Sequence, residues 1–312
     1  MTEAVTGSVG EAVTDELTDP VTELADRLAG DGYVADRPLA MVLHLAQQLG
    51  SPVLLEGEPG VGKTSVAEAL AAVTGARLVR LQCYEGLTAQ HALYEWDYTR
   101  QLLDIRIAEA RGAAGEELRT QVFSTDHLLR RPLLDAIWPV DDRPVVLLVD
   151  EVDRADEEFE ALLLELLSQF QITIPEIGTI TAHRRPTIVL TANRTRSLSD
   201  ALRRRCLYHW LPFPGLDREI AILTARLPGA SASLTRQTAQ FVQRLRAGHY
   251  RKVPGVSETL DWLRALTLLG TTELDPPRVA ETLGVLLKDA DDLRTFTERD
   301  GARVFRELGL VR

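Results

Sequence analysis

One stretch of the sequence decides the fold: Val53-Leu54-Leu55-Glu56-Gly57-Glu58-Pro59-Gly60-Val61-Gly62-Lys63-Thr64-Ser65. Its apolar start predicts a buried parallel strand, and the remainder fits the pattern G-x-x-x-x-G-K-[ST] of a phosphate-binding loop. Glycines let successive backbone N–H groups face one anion, where a Cβ would obstruct the turn. The helix that follows would point its positive N-terminal end at the same anion.

This loop predicts a site for ATP and Mg²⁺. Lys63 would add a positive charge for the β- and γ-phosphates, and the hydroxyl of Thr64 would bind Mg²⁺. An ordinary glycine-rich turn is the alternative, but strand, loop and helix all occur in the order that the motif requires. The expected nucleotide-binding residues are Gly57, Glu58, Pro59, Gly60, Val61, Gly62, Lys63, Thr64, Ser65 and, from a later strand, Asp150.

A second apolar run ends in two acids. The residues from Val145 to Val149 predict another buried strand, which Asp150 and Glu151 follow directly. At such a strand end Asp150 is expected to hold Mg²⁺ through its water shell, as in a Walker B element. Glu151 is expected to orient or deprotonate the attacking water. The alternative is a simple solvated strand end, which the upstream loop makes less favoured.

Two further segments extend the predicted catalytic set. A third buried strand, residues 186–192, ends at Asn193, which could sense the γ-phosphate or could simply form a turn. Arg203, Arg204 and Arg205 form a cluster that is usually a solvated or anion-binding patch. Here an arginine could instead reach the γ-phosphate of a neighbouring subunit. Arg204 and Arg205 are both candidates for that role, with Arg205 slightly preferred.

These segments together resemble the MoxR family of AAA+ ATPases, and within it the CoxD-like branch. The resemblance covers roughly residues 35–270, and three phrases carry it: LQCYEGLTAQHALYEW, DEVDRADEEFEALLLELLSQFQITIPEIGTI and NRTRSLSDALRRRCLYHWLPFP. It implies an α/β three-layer P-loop fold with a five-stranded parallel sheet, followed by a small all-α lid. It also implies a ring, often a hexamer, and a chaperone-like role with von Willebrand factor A domain proteins. CoxD-like members are linked to the maturation of molybdenum hydroxylases of the carbon monoxide dehydrogenase type.

Length and charge bound the remaining possibilities. The chain has 312 residues, 45% of them hydrophobic, and a net charge of −11. This length suggests roughly two domains. Together with the local sequence patterns, the MoxR resemblance implies a loose tail at 1–18, an ATPase core at 19–214 and a helical lid at 215–312. The acidic balance argues against indiscriminate binding to nucleic acid or anionic membranes. Cys83 and Cys206 have no disulfide or zinc spacing, and no apolar run reaches membrane length, so a cytoplasmic protein is expected.

Helix and strand patterns fill in the rest of the chain. An exposed helix is predicted at 102–118, a shorter one at 128–137, and a hairpin from the runs 171–175 and 178–181. Aromatic residues concentrated in 84–98 indicate either a contact surface or local packing. His91 and His127 are expected to pack or lie on the surface. The lid is predicted to contain four helices, near 220–227, 238–245, 260–269 and 279–287, the third capped by Ser257 and the fourth with Pro277 in its first turn.

One departure from the MoxR pattern leaves alternatives open. Ser257-Glu258-Thr259 stands where Ser-Pro-Arg is expected, so the sensor 2 arginine is missing, and Arg264 is a weak substitute. A nucleotide switch with little turnover is therefore one alternative. A small-molecule kinase would use the same loop but would not need the triple arginine or a lid. A nucleic-acid-associated AAA+ accessory ATPase would share every element, but the acidic charge disfavours it.

Overall fold

The computed structural model describes residues 19–110 and 122–311. The predicted tail at 1–18 lies outside the described residues, as does most of the second half of the predicted helix 102–118. Two helices open the described chain, α1 Pro20–Gly30 and α2 Arg37–Leu49. Their apolar residues recur at helical spacing, and Asp19 and Asp36 accept hydrogen bonds from backbone N–H groups of their first turns.

The central part of the chain alternates strands and helices. Its strands are β1 Val53–Gly57, β2 Arg77–Gln82, β3 Tyr94–Trp96, β4 Leu128–Arg130, β5 Val145–Asp150, β6 Gln171–Ile174, β7 Gly178–Thr181, β8 Thr187–Ala192 and β9 Leu207–Leu211. Its helices are α3 Lys63–Thr74, α4 Ala89–Ala92, α5 Tyr98–Ala110, α6 Pro132–Ile137, α7 Glu157–Gln169 and α8 Asp200–Arg205. Short 3₁₀ turns lie at Thr125–His127 and Val152–Arg154.

Five strands form one parallel sheet in the order β2-β5-β8-β1-β9. The predicted five-stranded parallel sheet between helices is therefore confirmed. Strands β1 and β5 are buried along their whole length because helices cover both faces. One apolar core joins the sheet to α6 and α7, and a second joins it to α1, α2 and α3. The order brings the carboxyl ends of β1, β8 and β5 side by side, and that edge carries the predicted site.

Two short antiparallel ribbons form separate two-stranded sheets. The ribbon β6–β7 matches the predicted hairpin, whereas β3–β4 corrects the predicted helix 128–137. Residues 128–130 are a strand paired with Tyr94–Trp96, and the helix begins only at Pro132. Proline disfavours helical backbone in the residue before it and fits the first turn of a helix, which explains the boundary.

The aromatic stretch and the two histidines divide between packing and surface. Trp96 is buried and makes edge-to-face contacts with Tyr94 and Phe123, whereas Tyr84 and Tyr98 are exposed. His91 lies on the surface. His127 is buried, and its Nε2 lies 2.8 Å from a carboxylate oxygen of Asp104 in α5. That contact ties α5 to the turn before β4.

The C-terminal region is helical and has its own apolar core. Its helices are α9 Leu216–Arg226, α10 Ala232–Arg246, α11 Val256–Leu268, α12 Pro276–Thr282, α13 Ala290–Thr295 and α14 Gly301–Glu307, with a 3₁₀ turn at Leu283–Val285 and a π-helical turn at Phe296–Asp300. Glu219 and Arg246 form a buried ion pair across α9 and α10, with their oxygen and nitrogen 2.8 Å apart. Losing one partner would leave a buried charge unpaired, at a cost of about 3–5 kcal/mol.

The predicted cap of the third C-terminal helix is wrong. Helix α11 begins at Val256 with Gly255 as its cap, so Ser257 lies within the first turn. The side chain of Glu258 turns back to accept the backbone N–H of Gly255 at 2.9 Å, which replaces a serine cap. Across residues 19–110 and 122–311, no helix combines the length and apolarity needed to cross a membrane.

Candidate nucleotide-binding site

The glycine-rich loop lies between β1 and α3 and has the backbone that its sequence predicts. Gly60 and Gly62 have φ angles of 76° and 93°, which side chains with a Cβ rarely adopt. At Gly57 a Cβ would lie 2.4 Å from the carbonyl oxygen of Leu211 on the neighbouring strand β9. Only glycine therefore fits where β1 passes into the loop.

Lys63 is folded back onto this loop. Its Nζ donates to the carbonyl oxygens of Gly57 and Glu58, each at 2.8 Å. Burial lowers the pKa of Lys63, while nearby carboxylates, first among them Asp153 and then Asp150, act to raise it. The ammonium group is thus held at the loop, where the neighbouring acids partly offset the cost of burying its charge.

Thr64 and Asp150 place oxygen atoms side by side at the start of α3 and the end of β5. Thr64 Oγ1 donates to Asp150 Oδ1 at 3.1 Å. Thr191 on β8 donates to the same oxygen at 2.6 Å, and Arg80 on β2 pairs with Asp150 Oδ2 at 2.5 Å. A hydroxyl and a carboxylate are the ligand types that Mg²⁺ prefers, so these residues fit that ion.

Glu151 has left-handed backbone, with a φ of 54°, which turns its side chain out of the strand direction. Three donors surround its carboxylate: Asn193 Nδ2 at 3.2 Å, Gln82 Nε2 at 3.1 Å and Arg154 at 3.0 Å. The backbone N–H of Glu151 donates to Thr191 Oγ1 at 2.9 Å. Such an unusual backbone at a surrounded acid is typical of functional positions.

Asn193 is held by a second acid. Asp153, buried in the turn after β5, accepts the backbone N–H groups of Asn193 at 3.1 Å and Thr195 at 2.7 Å. It also accepts the hydroxyl of Thr195 at 2.8 Å. The segment after β8 is thereby fixed against the turn that carries Glu151, and this brings Asn193 and Glu151 together.

The three consecutive arginines point in different directions. Arg203 turns inward and pairs with the buried carboxylate of Glu56 on β1, at 2.5 Å. Arg204 and Arg205 are exposed, and neither side chain has a hydrogen-bond or ion-pair partner within residues 19–110 and 122–311. The structure thus separates one inward arginine from the two outward candidates.

Two adjoining cavities lie beside the loop and share Gly60, Gly62, Ser65 and Ser257. One is the polar cavity in which the predicted site residues meet, since Lys63, Thr64, Asp150, Glu151 and Asn193 all line it. The other is mostly apolar and lies between the sheet and the C-terminal helices, with a lining that includes Tyr33, Val61, Leu211, Ile222 and Leu260. A polar cavity next to an apolar one suits a ligand with a phosphate chain and an aromatic base.

The C-terminal helices contribute little charge to the polar cavity. Ser257 is their one residue in its lining within the part of the chain that the structure describes. Arg264 is exposed on α11, 3.6 Å from Asp261, and lines neither cavity. The proposed substitution of Arg264 for a sensor 2 arginine is therefore not supported by its position.

Four contacting residues were not found from the sequence: Arg80, Gln82, Thr191 and Asp153. Arg80 and Gln82 are two positions apart on β2, and Gln82 pairs with Asp150 in the β2–β5 register. That pairing can be found only when the strand order is known. Asp153 had a weak signal as a third acid shortly after Asp150.

Burial raises the pKa of the Cys83 thiol to about 12, so this neighbouring cysteine stays protonated at neutral pH.

The strand order, the loop after β1 and the two acids after β5 define a P-loop protein with the AAA+ fold. Residues 52–206, just under half of the chain, match the family profile described as the AAA domain, dynein-related subfamily. The matched segment begins just before β1 and ends just after α8, so β9 and the C-terminal helices follow it.

Solved structures of Thermotoga maritima RuvB are similar to the chain at low identity. One, described as the RuvB Holliday junction branch migration motor, is 18% identical, with 92% of this chain and 82% of that chain covered and a TM-score of 0.44. A variant of the same protein is 19% identical, with 93% and 83% covered and a TM-score of 0.48.

Proposed function

We propose that this protein is a Mg²⁺-dependent ATPase of the AAA+ class that hydrolyses ATP to ADP and phosphate. The observation that carries the proposal is the position of Glu151. Its carboxylate lies 3.2 Å from Asn193 Nδ2, and both residues line the cavity that contains Lys63, Thr64 and Asp150. A base, an amide and a phosphate-binding loop in one cavity form the arrangement that water attack on a γ-phosphate needs.

Each residue has a distinct task in this proposal. The backbone N–H groups of the loop from Gly57 to Ser65, other than Pro59, bind the phosphates together with the Lys63 ammonium. Thr64 and Asp150 hold the metal. When bound, Mg²⁺ would neutralise phosphate charge. Glu151 accepts a proton from water, and Asn193 keeps that carboxylate oriented. Arg204 or Arg205 would stabilise charge in the site of a neighbouring subunit, which requires a ring.

The wider role is inferred from the resemblance to the CoxD-like branch of the MoxR family. Three long phrases support it: 81–96, 150–180 and 193–214. On that basis we propose that the protein is a cytoplasmic remodelling factor. It would assemble as a ring, of six subunits in the family pattern, and work with a von Willebrand factor A domain protein. Its client would be a metalloenzyme such as a molybdenum hydroxylase of the carbon monoxide dehydrogenase type.

The first experiment compares wild type with Glu151→Gln and Lys63→Ala. We expect Glu151→Gln to bind ATP as wild type does but to lose turnover by at least about 100-fold, because the amide cannot accept the proton of water. Lys63→Ala should lose ATP binding, measured by equilibrium dialysis. Phosphate release that continues at the wild-type rate in Glu151→Gln would refute the assigned base.

A nucleotide switch with little turnover is the second candidate. The observation that favours it lies at the start of α11. Within the described residues, Ser257 is the only side chain of the C-terminal helices that lines the polar cavity, and Glu258 faces Gly60 of the loop. The switch would be favoured if assembled wild-type protein bound ATP tightly but hydrolysed it no faster than Glu151→Gln does.

A further inference from the structure

An ion pair to a buried carboxylate connects the phosphate-binding loop to the outward arginines. The Glu56 side chain is only 3% exposed, and Arg203 on α8 lies 2.5 Å from its Oε1. Tyr208 on β9 donates its hydroxyl to the other carboxylate oxygen at 3.1 Å. Both oxygens of the buried carboxylate are therefore satisfied, one by α8 and one by the edge strand β9.

Glu56 and Arg203 each lie next to a segment of the proposed ATPase machinery. Glu56 directly precedes Gly57, whose carbonyl oxygen accepts from Lys63 Nζ at 2.8 Å. Arg203 directly precedes Arg204 and Arg205 in the last turn of α8. One ion pair thus joins the strand that begins a subunit's own nucleotide loop to the helix that carries its outward arginines.

The two ends of α8 are fixed in different ways. At its start, the Ser199 side chain accepts the N–H of Leu202, and the Ser199 backbone donates to Glu160 Oε2 at 3.0 Å. At its last turn, the Arg203 side chain pairs with Glu56 on the sheet. A six-residue helix makes few internal hydrogen bonds, so the direction of its final turn depends on such an anchor.

We propose that Glu56 and Arg203 are positioning residues that hold α8 on β1, so that Arg204 and Arg205 face the neighbouring subunit. This inference rests on the proposed function, because it needs ATP hydrolysis at sites shared between subunits. The pair acts in trans: it leaves the nucleotide site of its own subunit intact and sets the arginine that the next subunit receives. Arg203 itself is not the residue that reaches the phosphate.

The test uses full-length Arg203→Met and Glu56→Met. Each should lower ATP turnover by about tenfold or more, part of the loss expected when an arginine is removed from a neighbour's site. Each should bind ATP with an affinity within about twofold of wild type, since the loop and Lys63 are unchanged. The double variant Glu56→Met/Arg203→Met leaves no unpaired buried charge and should behave in the same way, which separates positioning from a folding defect.

Mixed rings give the decisive measurement. Glu151→Gln is inactive but supplies normal arginines, so mixing it equally with Arg203→Met should restore turnover at about a quarter of all subunits, where an active site has a donor neighbour. The same should hold for Glu56→Met. A donor that combines Glu151→Gln with Arg204→Ala and Arg205→Ala should restore nothing. As a matched control, Arg77→Met, which breaks the Arg77–Asp135 pair at the far end of β2, should keep wild-type turnover per folded subunit.

Three results would overturn the inference while leaving the ATPase proposal standing. They are wild-type turnover in Arg203→Met, absence of rescue by Glu151→Gln, and normal turnover in Glu56→Met when Arg203→Met is inactive. The last would mean that Arg203 acts on the phosphate directly. Wild-type protein that shows neither turnover nor a ring would instead refute the proposed function, and this inference would fall with it.

Discussion

At the scale of single residues, three side chains contact the carboxylate of Asp150. Thr64 and Thr191 donate from hydroxyl groups, and Arg80 brings a full positive charge to 2.5 Å from Oδ2. The hydroxyls are compatible with a bound cation, since an oxygen can also coordinate it. A guanidinium has no lone pair to offer a metal, so Arg80 and Mg²⁺ oppose each other at this oxygen.

Arg80→Gln should therefore lower the Mg²⁺ concentration needed for half-maximal ATP binding. Removing a positive charge beside Asp150 strengthens its attraction for a divalent cation, and because the Arg80 side chain is 49% exposed, solvent screening limits the expected change to about two- to fivefold. The measurement is a Mg²⁺ titration of ATP binding at two salt concentrations, with the difference shrinking at the higher one.

Arg77→Gln is the matched control for that titration, because Arg77 lies on the same strand but pairs with Asp135 at the opposite end. Its Mg²⁺ dependence should equal that of wild type. A higher Mg²⁺ requirement in Arg80→Gln would show that Arg80 orients Asp150 for the metal and does not oppose it.

At the residue scale, the sequence located the segments that meet at the carboxyl ends of three strands. Lys63, Thr64, Asp150, Glu151 and Asn193 line one cavity, as their positions after three apolar runs predicted. Their roles stay predictions. Arg80 and Gln82 could not be found in this way, because their relation to Asp150 depends on β2 lying beside β5, and strand order is a property of the folded sheet.

At the scale of elements, the start of α11 is docked on the phosphate-binding loop. The N–H of Val256 donates to the carbonyl oxygen of Gly60 at 2.8 Å. A Cβ on Gly255 would lie 2.8 Å from the Gly60 Cα, so the two backbones touch with no room for a side chain. This contact is the direct route by which a nucleotide at the loop could move the C-terminal helices.

Gly255→Ala should separate the loop from α11. The backbone angles of Gly255 suit alanine, with φ −78° and ψ −176°, so the effect comes from the close contact alone. We expect a thermal midpoint lower by several degrees, from about 1–3 kcal/mol of overpacking, together with weaker ATP binding. Both quantities come from thermal unfolding with and without Mg-ATP.

Gly229→Ala is the control for this change, because a Cβ at Gly229 meets nothing within 4 Å. It should leave the midpoint unchanged or raise it slightly, since alanine restricts the unfolded chain. If Gly255→Ala behaved like Gly229→Ala, the Gly60–Gly255 contact would not couple α11 to the loop.

Element-scale prediction failed where local pattern and tertiary pairing disagreed. Residues 128–137 are apolar enough for a helix, but residues 128–130 pair with β3 and Pro132 delays the helix. The cap of α11 was misplaced for a related reason. Gly255 is selected by its contact with Gly60, which is distant in sequence, so no local rule identifies it.

At the scale of the whole molecule, the exposed arginines predict an assembly. Arg204 and Arg205 have no acid to pair with in residues 19–110 and 122–311 of their own chain, although the protein carries a net charge of −11. A chain with that many acids and two unpaired arginines at a helix end is suited to present them to a second copy. The same net charge makes copies repel each other, so assembly should be favoured by salt and by bound nucleotide.

Light scattering of Glu151→Gln with Mg-ATP should therefore show a mass of about six times the 34.5 kDa of one chain, because trapped ATP gives each interface an anion for the arginine to contact. Without nucleotide the mass should fall, and Lys63→Ala should behave the same with or without ATP. Combining Glu151→Gln with Arg204→Ala and Arg205→Ala should weaken assembly, since the interface then lacks its cation. A single-chain mass under every condition would leave both arginines without a phosphate to reach, and would favour the nucleotide switch over the ring ATPase.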